Sequence, residues 1–289
     1  MDTTLPLPFL PAIDLAKSSA ESVQGLTDAQ LSFLGCVYIV ATEENIDVLF
    51  QFLQKNVAVE THVDVTAIAS GDDIVSLLDA GARKIFVNSA QRKSLDKFGD
   101  RVVSTYEKGV PTYTSGVVID SGEDISTCRP ILEDLKASKT SPVFLTSTTS
   151  DLESFVGIAL EFSAVPIIPA TKLTVEKPEK GQVSVSALIG ESWVSDRADK
   201  LVPTVVTDES GISLGLVYSS QESLAESFKT GTGVYQSRKR GLWYKGATSG
   251  DTQELVRVSL DCDQDCLKFV VRQNGRGESN FTRKCHDWI

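Results

Sequence analysis

Eight short apolar runs, rich in β-branched residues and separated by stretches of helical periodicity, fill the first 170 residues of this 289-residue chain. They are "LPFLPAIDL" (7–15), "CVYIVAT" (36–42), "VETHVDV" (59–65), "KIFVNS" (84–89), "RVVSTYE" (101–107), "TSGVVID" (114–120), "PVFLTST" (142–148) and "AVPIIPA" (164–170). Several are apolar on both faces, as parallel strands covered by helices are. Amphipathic stretches such as "ENIDVLFQFLQKN", "GDDIVSLLDAGA" and "DLESFVGIALEF" stand between them. Strands alternating with helices in this way predict a (β/α)8 barrel. Such barrels usually need about 200 residues or more, so this span predicts a degenerate barrel with some helices shortened or missing.

The pattern then changes. "TKLTVEKPEKGQVSVSALIGESWVSDRADK" (171–200) is polar and carries Pro178 and Gly181, which predicts a linker leading into a second domain. From Leu201 the apolar residues recur with period two, and "DESG" between apolar runs is a hairpin signal. "SSQESLAESFKTG" reads as a helix, with Ser219 or Ser220 as N-cap, Glu222 in its first turn and Gly231 past its end. "GVYQSRKRGLWYKG", "ELVRVSLDCDQD" and "CLKFVVRQNG" are three further strand candidates. The expected fold class is α/β plus mainly β: a degenerate (β/α)-barrel-like domain over 1–172, a linker over 173–195, and a small antiparallel β-rich domain over 196–289.

A net charge of −11 argues against a nucleic-acid polymer as partner, since phosphate contacts need a basic surface. It leaves room for a small phosphorylated ligand in a local basic pocket. Five cysteines, an odd number with Cys36 and Cys128 isolated, do not make a disulfide scaffold and indicate a reducing compartment. The opening "MDTTLPLPFLPAIDLAKSS" lacks the basic region of a secretory signal. No window reaches about 18 apolar residues, so no membrane span is expected. The expected location is cytoplasmic.

Two stretches of the second domain carry chemistry. In "DCDQDC", alternation along an extended chain puts Asp261, Asp263 and Asp265 on one face and Cys262, Gln264 and Cys266 on the other. Clustered carboxylates repel unless a cation offsets them, and magnesium suits oxygen ligands while a thiolate suits zinc. An EF-hand is excluded, because its sixth and twelfth positions would be Cys266 and Arg272 rather than Gly and Glu. The other reading is a solvated hairpin tip with one buried cysteine. In "SRKRGLWYKGATSG" (237–250), Arg238, Lys239, Arg240 and Lys245 concentrate positive charge, and Thr248, Ser249 and Gly250 add hydroxyl and backbone donors. This composition suits phosphate, since Arg forks match its oxygens and glycine permits close approach. The alternative is a basic strand face paired with surface acids. With only His62 and His286, a Ser-His-Asp hydrolase is not expected, and His62 reads as a core residue.

The run from "VPTVVTDESG" to "CLKFVVRQNG", and above all "YQSRKRGLWYKGATSG" with "LDCDQD", resembles the phosphoribosyl-AMP cyclohydrolase family of histidine biosynthesis. Within it, the run is most similar to the version that opens the fungal trifunctional histidine enzymes. "LPAIDL" is similar to the first strand of the histidine-pathway barrel isomerases, with Asp14 at the place of their first-strand aspartate. The resemblance implies hydrolysis of the N1–C6 bond of the adenine ring of phosphoribosyl-AMP by zinc-activated water. It assigns Cys262, Asp261 and Asp263 to catalysis and Asp261, Asp263 and Asp265 to magnesium. It assigns Cys262 and a tail cysteine, Cys285, to zinc, and Arg238, Arg240, Lys245, Thr248, Ser249 and Gly250 to the substrate phosphates. It also implies a homodimer that shares the site.

After Gly277 the chain departs from the family's motif, roughly C-H-x5-C. Counting back seven from Cys285 reaches Glu278 rather than Cys, and the Cys285–His286 pair comes late. This leaves a second reading: an impaired cyclohydrolase-like protein that binds a nucleotide or partner, or serves another pathway. Glutamate is a harder, less zinc-selective ligand than thiolate. The chain is therefore expected to retain zinc weakly and turn over slowly, and Glu278→Cys to raise both. Metal analysis after dialysis and the steady-state rate check this; firm retention of one zinc per chain by the parent refutes it.

Overall fold

A computed structural model describes residues 6–15, 26–108, 115–140 and 142–275. Strands β1 (Leu10–Ile13), β2 (Cys36–Val40), β3 (Glu60–Asp64), β4 (Lys84–Val87), β5 (Val102–Thr105), β6 (Val117–Asp120), β7 (Val143–Thr146) and β8 (Val165–Pro169) close into one barrel. Each pairs in parallel with the next in chain order, and β8 returns to β1. All eight lie within the apolar runs expected to form strands. Helices α1 (Asp28–Leu34), α2 (Ile46–Lys55) and α3 (Gly71–Asp79) cross over between the first four. Side-chain caps from Thr27 and Ser70 start α1 and α3, satisfying amide groups that have no partner inside the helix.

The trimming falls in the middle of the barrel. Helix α4 (Ser89–Arg92) is a single turn followed by a 3₁₀ run over Lys93–Arg101, and the described part of the β5–β6 connection holds no helix. Helices α5 (Arg129–Ala137) and α6 (Leu152–Glu161) complete the ring. Along a barrel strand alternate side chains point inward. On the axis Phe86 packs edge-on against Tyr38 and Phe144, with ring centroids 5.1 and 4.9 Å away, and the His62 ring lies 6.5 Å from both phenylalanines. The barrel is thus plugged by rings. At the C-terminal ends of the strands the Tyr38 hydroxyl donates to Asp64 at 2.7 Å, while Asp14 and Asp120 are exposed.

Residues 173–195, expected as linker, are ordered. Strands β9 (Leu173–Thr174) and β10 (Val183–Ser184) form a short parallel ladder, and helix α7 (Val185–Ser192) buries Val185, Leu188 and Ile189. Those residues stand at i, i+3 and i+4, an apolar stripe too short to register in a polar stretch. Beyond them come β11 (Val202–Thr207), β12 (Ser213–Ser219), α8 (Gln221–Thr230), β13 (Val234–Ser237), β14 (Gly241–Tyr244), β15 (Thr252–Leu260) and β16 (Leu267–Asn274). One sheet has the order β12-β11-β16-β15, and β13 and β14 form a separate hairpin. The sheet is mixed, since β11 and β16 run parallel. In the "DESG" turn Asp208 accepts amide bonds from Ser210 and Ile212, and Gly211 takes φ +81°. Helix α8 is capped by Ser220 and ends at Gly231 in the left-handed conformation.

The two units share one apolar core. Phe33 of α1 packs against Phe228 of α8, Leu260 donates its amide to the Pro6 carbonyl at 2.8 Å, and Arg257 of β15 donates to the Ala58 carbonyl. Gly35, at φ +68°, gives Arg257 room: a Cβ there would lie 2.7 Å from its Nε. Pro6, Gly35 and Ala58 precede β1, β2 and β3 respectively, so the sheet docks on the end of the barrel that carries the N-termini of those strands.

His62 is fully buried, and neither ring nitrogen has a hydrogen-bond partner among the described residues. Burial, helped by the charges of Lys84 and Arg83, pushes its pKa from 6.5 down to about 3. The imidazole is neutral in the fold but protonates in the unfolded chain below pH 6.5, so it removes stability as pH falls from 6.5 towards 3. One such group accounts for about 1.4 kcal/mol per pH unit. Denaturant titrations from pH 6.5 to pH 4.5 should therefore show parent stability falling faster than that of His62→Leu, by about 2–3 kcal/mol over the interval. Parallel curves would refute the assignment.

Candidate active site

The acidic stretch is not extended. Leu260 pairs with Leu267, so 261–266 form the loop of the β15–β16 hairpin, and the expected division of the side chains between two strand faces is corrected accordingly. Asp261 organises the loop. Its Oδ1 accepts the amides of Asp265 and Cys266, both at 3.1 Å, and its own amide donates to the Cys266 carbonyl at 3.0 Å. Gln264 turns the chain at φ +63°. Carboxylates compete well for local backbone amides, which favours a tight loop over continued strand. The turn still brings Asp261, Asp263 and Asp265 together. One oxygen of each lies within 4.8 Å of the others, and all three residues are exposed. The Asp263 charge, with smaller contributions from burial and Asp261, raises the Asp265 pKa.

Hard oxygens converging in this way fit magnesium. The triad is the one group of three or more potential metal ligands among the described residues. Cys262 is exposed at the same tip but does not join that group. Cys266 is half-buried, and burial followed by the Asp261 charge raises its thiol pKa. Glu278, Cys285 and His286 lie outside the described residues.

The basic stretch, expected as one strand, is a hairpin. Arg238, Lys239 and Arg240 form its turn, where Ser237 Oγ accepts the Arg240 amide at 3.2 Å and Gly241 takes φ +80°. Consecutive cations are cheapest where all can reach water. The Arg238 guanidinium lies 5.0 Å from the ring centroid of Tyr218, and Arg240 lies 5.6 Å from that of Trp243. Lys245, Thr248, Ser249 and Gly250 stand at the far end of β14, in a loop closed by Gly250 N–H to the Gly246 carbonyl at 2.8 Å. The six expected phosphate contacts are thus divided between two ends of a four-residue strand, roughly 13 Å long.

Strand register joins one of those ends to the acidic tip. Tyr218 pairs with Pro203, and the next residue, Thr204, pairs with Leu267 just past the tip. Arg238 therefore shares an end of the sheet with Asp261–Cys266, whereas Lys245–Gly250 lie near Thr252 at the opposite end of β15. The segment 194–200 completes the acidic end: the Val194 amide donates to the Gln264 carbonyl at 2.8 Å, and the Arg197 guanidinium lies 4.8 Å from the Tyr218 ring. The sequence reading missed Arg197 and Tyr218. The one available signal was a basic residue in the polar run "SDRADK" just before a strand.

A family model described as Phosphoribosyl-AMP cyclohydrolase matches residues 215–287, a span that takes in both stretches and continues over Glu278, Cys285 and His286. The histidine biosynthesis trifunctional protein of Neurospora crassa is 47% identical over 284 residues, covering 96% of this chain and 33% of that protein. The histidine biosynthesis bifunctional protein his7 of Schizosaccharomyces pombe is 36% identical, covering 93% of this chain and 68% of that protein. The phosphoribosyl-AMP cyclohydrolase of Roseobacter denitrificans is 42% identical over 87 residues, covering 29% of this chain and 68% of that enzyme. The chain spans about a third of the length of the trifunctional relatives.

Gly246 closes the loop at φ +84°, and a Cβ there would lie 2.5 Å from the backbone of Asp251 and Thr252. Backbone cannot yield as a flexible side chain can. Gly246→Ala should therefore lower the unfolding free energy by about 2 kcal/mol or more, with the exposed neighbour substitution Ala247→Gly costing about 1 kcal/mol or less. Equal denaturation midpoints for the two variants would refute this.

Proposed function

The chain belongs to the phosphoribosyl-AMP cyclohydrolase family, and from that premise we propose that it hydrolyses the adenine ring of phosphoribosyl-AMP in histidine biosynthesis. The observation that carries this reading is the matched span 215–287, which holds both the aspartate triad and the basic hairpin. In the proposed reaction, water adds at C6 of the ring, which is cationic at N1. The N1–C6 bond opens, N1 leaves with a proton, and the formimino-carboxamide product results.

Asp261, Asp263 and Asp265 would hold magnesium, and Cys262 with Cys285 would contribute to a zinc site. Zinc, when bound, supplies hydroxide at neutral pH by lowering the pKa of water. The substrate carries a phosphate at each end, and β14 presents cations at each of its ends. Arg238 and Arg240 would take one phosphate, and Lys245 with Thr248, Ser249 and Gly250 the other. In this reading the enzyme is a cytoplasmic homodimer whose site is completed across the dimer. Among the described residues no helix is long and apolar enough to cross a membrane. A second reading, nucleotide binding without rapid turnover, is favoured by one observation: glutamate at 278, where the family resemblance places a zinc thiolate.

Turnover of phosphoribosyl-AMP by the full chain, its loss on chelation, and its return with zinc and magnesium together test the proposal. Binding without turnover would select the second reading. Removing a charged hydrogen bond costs on the order of 2–3 kcal/mol, so Arg238→Ala should weaken nucleotide binding by about 30-fold or more in a calorimetric titration. Unchanged affinity would remove Arg238 from the site.

A further inference from the structure

The segment 194–200 lies outside the matched span yet borders the acidic tip. Arg83, Arg129 and Arg272 each face a glutamate. Arg238 has no carboxylate partner among the described residues. It shares the Tyr218 ring with Arg197, whose guanidinium carbon lies 4.8 Å from the same centroid at which Arg238 lies 5.0 Å. The two guanidinium carbons are therefore within about 10 Å of each other, close enough to repel across water.

One carboxylate answers this pair. Arg197 donates Nε and Nη2 to Asp199 at 2.8 and 2.6 Å, a two-pronged contact that fixes the plane of the guanidinium. The third nitrogen, Nη1, makes no hydrogen bond among the described residues. Asp199 in turn accepts the Leu201 amide at 3.2 Å, so it is itself held by backbone. Asp199 and Lys200 also line a cleft of about 310 Å³ with Trp193, Ser195 and Ser220, and neither arginine lines it. Asp196 and the three aspartates of the tip also stand at this end, so what is open to an anion is confined to the pair itself: Arg238 without a carboxylate partner and Arg197 with one guanidinium edge unused. A phosphate oxygen can take that unused edge, since the planar fork of arginine fits phosphate.

We propose that Arg197 binds a substrate phosphate together with Arg238. Tyr218 is their shared platform, and Asp199 is the positioning residue that holds Arg197 in place. This deepens the cyclohydrolase reading and rests on its claim that the ligand is a nucleotide. It makes the segment before β11 part of the binding site. It also places one phosphate at the acidic end of the sheet, beside the carboxylates proposed to carry metal.

The test is calorimetric titration of the full chain with AMP, with ribose 5-phosphate and with adenosine. The two phosphorylated ligands cover the two ends of the substrate, and adenosine is the phosphate-free control. Arg197→Gln should weaken one phosphorylated ligand by tenfold or more and leave adenosine within twofold, and Arg238→Gln should weaken the same ligand. Arg197→Lys, which keeps charge and bulk but not the fork, should lose less and guards against misfolding of the first variant, with thermal melts run on all. The inference is overturned if neither Arg197 variant changes either phosphorylated ligand, even where Arg238→Gln does, or if adenosine falls by the same factor. A parent that binds neither phosphorylated ligand better than adenosine overturns the nucleotide reading along with it. Loss with Arg238→Gln alone overturns only the role of Arg197.

Discussion

The parallel pairing of β11 with β16 decides where everything else in the second unit lies. Thr204 stands opposite Leu267, and this register sets the hairpin tip 261–266 beside the entrance to β11. It also brings up Tyr218, because Tyr218 pairs with Pro203 on the other edge of β11. A slip of one residue would turn Leu267, Phe269 and Val271 out of the core, which is why the register is strongly held. The acidic loop, the aromatic platform and the segment 194–200 thus share one end of the sheet as a consequence of core burial.

The barrel contributes in a different way. Its axis is filled by Tyr38, His62, Phe86 and Phe144, so its interior is packing rather than cavity. Its outer surface and the N-terminal ends of β1–β3 supply the other half of a continuous core with the sheet. Arg257 reaches the Ala58 carbonyl across nearly two hundred residues of chain, and Gly35 is the residue that lets it pass. The C-terminal ends of the strands, with Asp14, Asp64 and Asp120, lie at the opposite end from this contact.

Much of the architecture was legible locally. The eight barrel strands announced themselves as apolar on both faces, and Ser220, Gly231 and "DESG" marked a helix start, a helix end and a hairpin turn where the structure has them. Other features were not legible. Residues 171–200 looked like linker because the apolar face of α7 is only three residues wide and is completed by α8. Arg238–Arg240 looked like strand because the flanking residues are strands, and only the pairing of Gln236 with Leu242 shows that the chain folds back between them.

What the sequence by itself determined is the set of elements and the chemistry available to them: a strand–helix alternation, a cluster of three aspartates with a thiol, a run of cations, and the resemblance those two motifs carry. What only the tertiary structure decided is which of these stand together. It turned the alternating aspartates into a loop held by Asp261, separated Arg238 and Arg240 from Lys245–Gly250, and brought Arg197 to the ring of Tyr218. The physical reason is the range of the forces involved. Periodicity, caps and turn residues act over a few positions of chain, whereas strand register and ring contacts join residues tens of positions apart and follow from how the whole apolar surface is buried.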